Sequence, residues 1–328
     1  MTALVLALNP SIDAEWRVDD VLWEEKNSVR SERRWAGGKG INVARWLKHL
    51  GGQPQLLLPL GGKTGDELSR YLSGEKIPTR TIPLRAATRV NVIITTNAGR
   101  QMRFNPPGPR LAGHEWKACL GSVEYWFAAL PESSLEQPET RALKRGVPAA
   151  PACPSRSPLL ILSGSLPRGV PDTAYRQLLG LAHRFGVRTL LDCEGAPLQA
   201  AVTARPFLVK PNEHELADWW RRPLRTEAEV RRAASALSDV TRGWVFVSRG
   251  AKRSVLVNTT RGFQVLARPR NVNPRNTVGA GDALLAAVAN QIQRGAPPSR
   301  WLEAGLAAGT AATQCLPGKL PTRRYADQ

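Results

Sequence analysis

The chain has 328 residues, 42% of them hydrophobic, and carries 46 Lys and Arg against 27 Asp and Glu, a formal charge of +19. That length and apolar content can fill the core of one large α/β domain or two small ones. The four cysteines, Cys119, Cys153, Cys193 and Cys315, are far apart and form no CxxC pair. This argues against a disulfide framework or a zinc site and for a reducing, cytoplasmic compartment. The charge raises nucleic acid, acidic membranes and anionic substrates as partners. Its densest clusters (Arg30–Arg34, Arg221-Arg222 with Arg225, and Arg323-Arg324) are short and lack interleaved aromatics, so nucleic acid is disfavoured.

Met1–Leu8 is apolar but short, lacks a basic flank and a cleavage site, and ends at Asn9-Pro10. It reads as a first strand, Ala3–Leu8, and not as a signal peptide. No run approaches the length of a membrane span, so no membrane association is expected. Residues Ala14–Trp35 carry scattered charge and β-prone residues. Gly40–Leu50 has a helical pattern closed by Gly51-Gly52, and Gln55–Pro59 is the next strand. Val90–Thr96, a turn at Asn97-Ala98-Gly99-Arg100 and Gln101–Asn105 read as a hairpin. Neither 14–35 nor 88–105 has a crossover helix, so both fit a small accessory sheet lying over the carboxyl ends of the main strands. Pro131–Pro158, rich in Pro, Ala, Ser, Arg and Glu, reads as a surface insert. Beyond it follow strand Leu159–Leu162, helix Asp172–Phe185, strand Thr189–Asp192, strands Phe207–Val209, Val245–Ser248 and Ser254–Asn258, and helix Ala283–Gln293. The alternation predicts a mainly parallel sheet covered by helices on both faces.

Several turns could carry chemistry. In Asn276-Thr277-Val278-Gly279-Ala280-Gly281-Asp282, a small-residue turn feeds a helix N-terminus, where outward N–H groups favour an anion. Asp282 beside such a pocket could take a proton from a hydroxyl, or could simply cap the helix. Gly37-Gly38-Lys39-Gly40-Ile41-Asn42-Val43-Ala44 is a second glycine-rich turn; it lacks the third glycine of a dinucleotide fingerprint. Gly61-Gly62-Lys63-Thr64 lacks the earlier glycine of a Walker A loop. Asn212 and Glu215, three apart, could face one magnesium ion through water, or could form a helix cap. Ser163-Gly164-Ser165-Leu166-Pro167 could hold a phosphate or make a bend.

Taken together and in order, Asn9-Pro10-Ser11-Ile12-Asp13, the turn at 37–44, Thr88-Arg89-Val90-Asn91, Asn105-Pro106-Pro107-Gly108-Pro109, the turn at 163–167, Pro211–Glu215 and Val278–Asp282 resemble the ribokinase/phosphofructokinase-B family. Within it they are most similar to the 1-phosphofructokinase, tagatose-6-phosphate kinase and minor 6-phosphofructokinase branch. The resemblance runs from about Leu4 to Gly318 and omits 131–158. It implies one α/β domain over 1–328 with a ribokinase-like three-layer fold, and a β-sheet lid from about 14–35 and 88–105 that is shared in a homodimer. It also implies ATP and Mg²⁺, with transfer of a phosphoryl group to a sugar phosphate. Fructose 1-phosphate is the favoured acceptor, with tagatose 6-phosphate and fructose 6-phosphate as alternatives, and behind them a free sugar or nucleoside, or a non-catalytic role in binding sugar phosphate or nucleic acid.

By the same resemblance Asp282 is the catalytic base, and Gly279, Ala280 and Gly281 form the anion hole. Asp13, Gly38, Lys39, Asn42 and Asn91 hold the sugar, while Arg89, Ser165 and Lys26 bind its phosphate. Asn212 and Glu215 serve the magnesium–phosphate motif, and Ser248, Gly250 and Thr277 lie on the nucleotide. A raised pKa is not required of Asp282, whose proton demand peaks only as the new P–O bond forms. Two departures stand out: Arg253 where the family has glycine, and Ala283 where it often has serine.

Overall fold

The computed structural model of the protein describes residues 2–131 and 157–322. In the first part, β1 (Thr2–Leu6), β2 (Ser11–Val18) and β3 (Ser31–Gly37) lead to α1 (Lys39–His49), β4 (Gln53–Gly61), α2 (Gly62–Glu75) and β5 (Thr79–Leu84). Then come β6 (Arg89–Thr96), β7 (Gln101–Phe104) and α3 (Gly113–Ala128). The second part runs β8 (Leu159–Ser163), α4 (Ala174–Arg184), β9 (Arg188–Asp192), α5 (Gly195–Ala201), β10 (Leu208–Val209), α6 (Glu213–Trp220) and α7 (Glu227–Thr241). It closes with β11 (Trp244–Val247), β12 (Ser254–Asn258), β13 (Phe263–Ala267), α8 (Ala280–Gln293) and α9 (Pro298–Thr313).

Nine strands form the main sheet in the order β13-β12-β11-β10-β9-β8-β1-β4-β5. It is parallel except where β12 pairs with β11 and β13. Alternation along its strands divides the core. Ala3, Val5, Leu159 and Ile161 face α1, α8 and α9, while Leu4, Leu6, Leu160 and Leu162 face α3, α4 and α7. Each face buries its own apolar layer, which is why helices cover both. No helix among the described residues is long and apolar enough to cross a membrane.

The second sheet has four strands in the order β3-β2-β6-β7. It begins at Ser11 and not near residue 14, so Asp13 is itself one of its residues, paired across to Trp35 and Asn91. The hairpin expected at 90–105 is present as β6 and β7, with Gly99 in the left-handed region its turn needs. The second sheet is tied to the rest of the chain by Arg34, which grips Glu67 with two hydrogen bonds of 2.8 and 2.9 Å. Arg33 adds a bond to the Pro317 carbonyl at 2.9 Å. Most of the expected insert at 131–158 lies outside the described residues.

Candidate active site

β1 ends at Leu6 and the chain crosses directly into β2, so Asn9, Ser11 and Asp13 are delivered to the junction of the two sheets. Asp13 is 7% exposed. Ser11 Oγ donates to its Oδ1 at 2.8 Å, and Asn91 Nδ2 donates to the same oxygen at 2.8 Å. Burial pushes this carboxyl up, against the pull of the two hydrogen bonds. Gly37 is what lets Asp13 lie there, because a Cβ at 37 would stand 2.1 Å from the carboxyl carbon.

Asp282 lies in the first turn of α8, behind Gly279, whose φ of 80° is left-handed. Its Oδ2 accepts from Asn42 Nδ2 at 2.9 Å. Burial, with the negative charge of Asp192 beside it, lifts the Asp282 carboxyl to about 6. Lys39, the Asn42 hydrogen bond and Lys210 oppose the rise without cancelling it. A base with a pKa near neutrality is well matched to its task, so the structure adds a tuning that the residue pattern alone did not require.

Asp192 and Lys210, to which sequence reasoning gave no role, sit beneath this carboxylate. β9 and β10 pair Leu191 with Val209, which sets the next residues, Asp192 and Lys210, side by side. Asp192 Oδ1 is 3.4 Å from Lys210 Nζ and 3.6 Å from Lys39 Nζ, and Lys39 Nζ is also 3.6 Å from Glu215 Oε1. Burial alone would raise Asp192, but Lys210 and Lys39 outweigh it and hold the carboxyl below the usual range. The Lys210 ammonium lies against Gly281, where an added Cβ would stand 3.5 Å from Nζ. Two cations therefore converge on the foot of α8, where negative charge is favoured.

Asn212 caps α6. Its Oδ1 accepts from the His214 and Glu215 amides at 2.9 Å each, and Glu215 Oε2 accepts from the Asn212 amide at 2.8 Å. The capping alternative is thus realised, while Glu215 Oε1 still faces Lys39. A carboxylate with one oxygen turned toward the cavity suits a magnesium ion held mainly by water and phosphate.

These groups line two adjoining cavities. The larger, about 780 Å³, gathers Asp13, Gly38, Lys39, Asn42, Arg89, Asn91, Ser165, Asn212, Glu215, Gly279 and Asp282. The smaller, about 540 Å³, takes Gly250 and Ala280 and is mostly apolar. Ser248, Thr277 and Gly281 belong to both and form the wall between them. Lys26 is not brought in; it is exposed on the connection between β2 and β3. Arg253 turns away to pair with Glu227, with Nε at 3.0 Å, and lines neither cavity. Among the described residues, seven buried side-chain polar atoms have no hydrogen-bond partner. They belong to Asn9, Arg89, Asn91, Ser163 and Asp192 in the larger cavity and to Arg249 and Ser254 in the smaller. Buried polar atoms are normally satisfied, so this concentration marks both cavities as places for a polar ligand.

The fold is ribokinase-like: a ribokinase from Thermotoga maritima superposes with a TM-score of 0.72 over 99% of this chain and 97% of its own, at 20% identity. The model of the "pfkB family carbohydrate kinase" matches residues 7–129 and 152–322, and the chain belongs to that family. It is 33% identical to the ATP-dependent 6-phosphofructokinase isozyme 2 of Escherichia coli K12 over 311 residues, 94% of this chain and 91% of the other. It is also 33% identical to a 1-phosphofructokinase of Xanthomonas campestris over 296 residues, 88% of this chain and 83% of the other. Escherichia coli phosphofructokinase-2 crystallised with substrates and products has a TM-score of 0.85 and 29% identity, covering 99% of this chain and 97% of that one.

Proposed function

We propose that this protein transfers the γ-phosphoryl group of ATP to a hydroxyl of a hexose phosphate, with fructose 1-phosphate as the favoured acceptor. The observation that carries the reading is the buried Asp282 carboxylate, hydrogen-bonded by Asn42 at 2.9 Å, close to the wall that divides a polar cavity from an apolar one. The polar cavity suits the sugar and its phosphate, and the apolar one suits a nucleotide base. Fructose 6-phosphate is the second reading, favoured by the 33% identity to the Escherichia coli isozyme. Either acceptor yields fructose 1,6-bisphosphate, because one hydroxyl end is phosphorylated already and the other reacts.

In this reading the acceptor oxygen forms a bond to the γ-phosphorus as the bond to the ADP oxygen breaks. Asp282 takes the hydroxyl proton while the main-chain N–H groups of 279–282 meet the charge on the transferring oxygens. Lys210, against Gly281, and Lys39 add positive charge at the same place. Asp13 and Asn91 hold sugar hydroxyls, and Arg89 and Ser165 hold the acceptor's own phosphate. Glu215, with Asn212 behind it, would hold a hydrated Mg²⁺, which supplies charge neutralisation on the nucleotide phosphates. The second sheet acts as a lid, and two copies pair through it by way of the exposed Leu22, Trp23 and Phe104. Lys26 lies on that same exposed connection, outside the cavity of its own copy.

A coupled ADP-release assay over fructose 1-phosphate, fructose 6-phosphate, tagatose 6-phosphate and free sugars tests the proposal. Turnover confined to an unphosphorylated sugar or nucleoside would overturn it.

A further inference from the structure

Asn9 has no part in the chemistry above, yet it is 7% exposed and sits at the crossing from the main sheet to the second. Its Nδ2 donates to Ser165 Oγ at 3.0 Å and to the Pro107 carbonyl at 3.1 Å. Its main-chain carbonyl accepts from Arg89 Nη2 at 2.9 Å. A carbonyl can only accept, so the bond to Pro107 fixes which way the Asn9 amide faces. The same NH₂ group must then be the donor to Ser165. With its oxygen already accepting, the Ser165 hydroxyl has its proton left to donate into the cavity.

Arg89 is held in a matching way. Nη1 donates to the Pro106 carbonyl at 2.8 Å and Nη2 to Asn9, while Nε, buried, has no partner in the protein. Two of its five N–H groups fix the fork and the others are spare. The loop that carries Pro106 and Pro107 is folded down on the same amide. Gly108, at φ 90°, would place a Cβ 2.2 Å from Asn9 Oδ1.

We infer that Asn9 is a positioning residue whose side-chain amide sets the hydrogen-bond polarity of the acceptor-phosphate subsite, turning Ser165 into a donor beside an Arg89 that the Asn9 main-chain carbonyl anchors, so that the subsite presents donors to an oxyanion. This rests on the reading of the acceptor as a sugar phosphate. Asn9→Asp keeps the shape but inverts the polarity. The carboxylate would accept the Ser165 proton, leave the Pro107 carbonyl unpaired and repel a phosphate.

The test is calorimetric titration of fructose 1-phosphate and fructose 6-phosphate, with steady-state kinetics, on wild type, Asn9→Ala, Asn9→Asp, Ser165→Ala and the Asn9→Ala/Ser165→Ala double variant. Asn9→Ala is expected to weaken sugar-phosphate binding about tenfold and Asn9→Asp more, as loss of a hydrogen bond to a charged group does. KM for the sugar phosphate should change far more than kcat or KM for ATP. In the double variant the two losses should fall short of multiplying, because both act through one hydroxyl. Unchanged binding in Asn9→Asp, losses that multiply, or an equal loss of ATP affinity overturns the inference. Should Asn9→Ala fail to fold, the isosteric Asn9→Asp decides alone. A wild-type protein that binds no sugar phosphate overturns the functional reading; one that binds it while the Asn9 variants are indifferent overturns this inference only.

Discussion

Asp282→Asn removes a charge and almost no volume, and the structure says what that charge costs the fold. The carboxyl is lifted from 3.8 to about 6, first by burial and then by Asp192. A carboxyl with a higher pKa in the folded than in the unfolded state holds its proton more tightly when folded. Its ionisation therefore weakens the fold, and the loss grows as pH rises from the unfolded value through the folded one. At about 1.36 kcal/mol per pKa unit, the gap amounts to roughly 3 kcal/mol at about pH 8 and under about 1 kcal/mol near pH 4. Asparagine imitates the protonated carboxyl, and its amide oxygen can still accept from Asn42. The variant should thus be more stable than its parent by roughly 3 kcal/mol at about pH 8, with the gain shrinking toward acid. It should also lose phosphoryl transfer by about 10²–10⁴-fold while still binding ATP. Urea unfolding at both pH values, read by the fluorescence of the ten tryptophans, measures the stability change. A variant no more stable at about pH 8, or equally stabilised near pH 4, would refute the argument that Asp282 is held at the expense of the fold.

The same shift gives kcat/KM an acid limb near pH 6, lost as Asp282 takes up its proton; Asp192→Asn should move that limb to lower pH, since Lys39 and Lys210 would then act on Asp282 unopposed. A limb that stays in place would remove Asp192 from the tuning. Arg89→Ala should raise KM for the sugar phosphate about 10–100-fold, the worth of hydrogen bonds to a charged group, with KM for ATP little changed; an unaltered KM counts against its assignment. Gly37→Ala puts a Cβ 2.1 Å from the Asp13 carboxyl carbon, so that carboxylate must rotate away. The expected result is weaker acceptor binding and a stability loss of about 1–3 kcal/mol, and wild-type kinetics would show that Asp13 has room to spare.

Much of the architecture could be read before any coordinates, because strands buried on both faces, such as Leu159–Ser163, are continuous apolar runs bounded by turn residues. The sequence of β5 does not read as a strand. Thr79–Leu84 is mostly exposed, contains Pro83 and forms the edge of the sheet, where proline is tolerated. α3 is no easier to read, since Gly113, Gly121 and Ser122 dilute its helical pattern. At the site, the glycine turns were legible because each is local in sequence. The Asp192–Lys210–Lys39 cluster was not, because it exists only through the pairing of β9 with β10 and the return of α1 beneath them. Asn212 and Glu215 were legible as a pair but not as a choice. The same three-residue spacing serves a cap and a cavity-facing carboxylate, and the structure uses it for both.

The thin wall between the cavities has a practical consequence. Ser248, Thr277 and Gly281 are small, and Gly281 offers no side chain at all. A single compound could therefore lie across it, with a sugar-phosphate mimic at one end and an aromatic base at the other. Such a bisubstrate ligand would lose its translational freedom once and not twice, and tethering its halves would act as a high local concentration of each. The length of its linker, varied one atom at a time, would measure how far the two reacting groups stand apart when both cavities are filled.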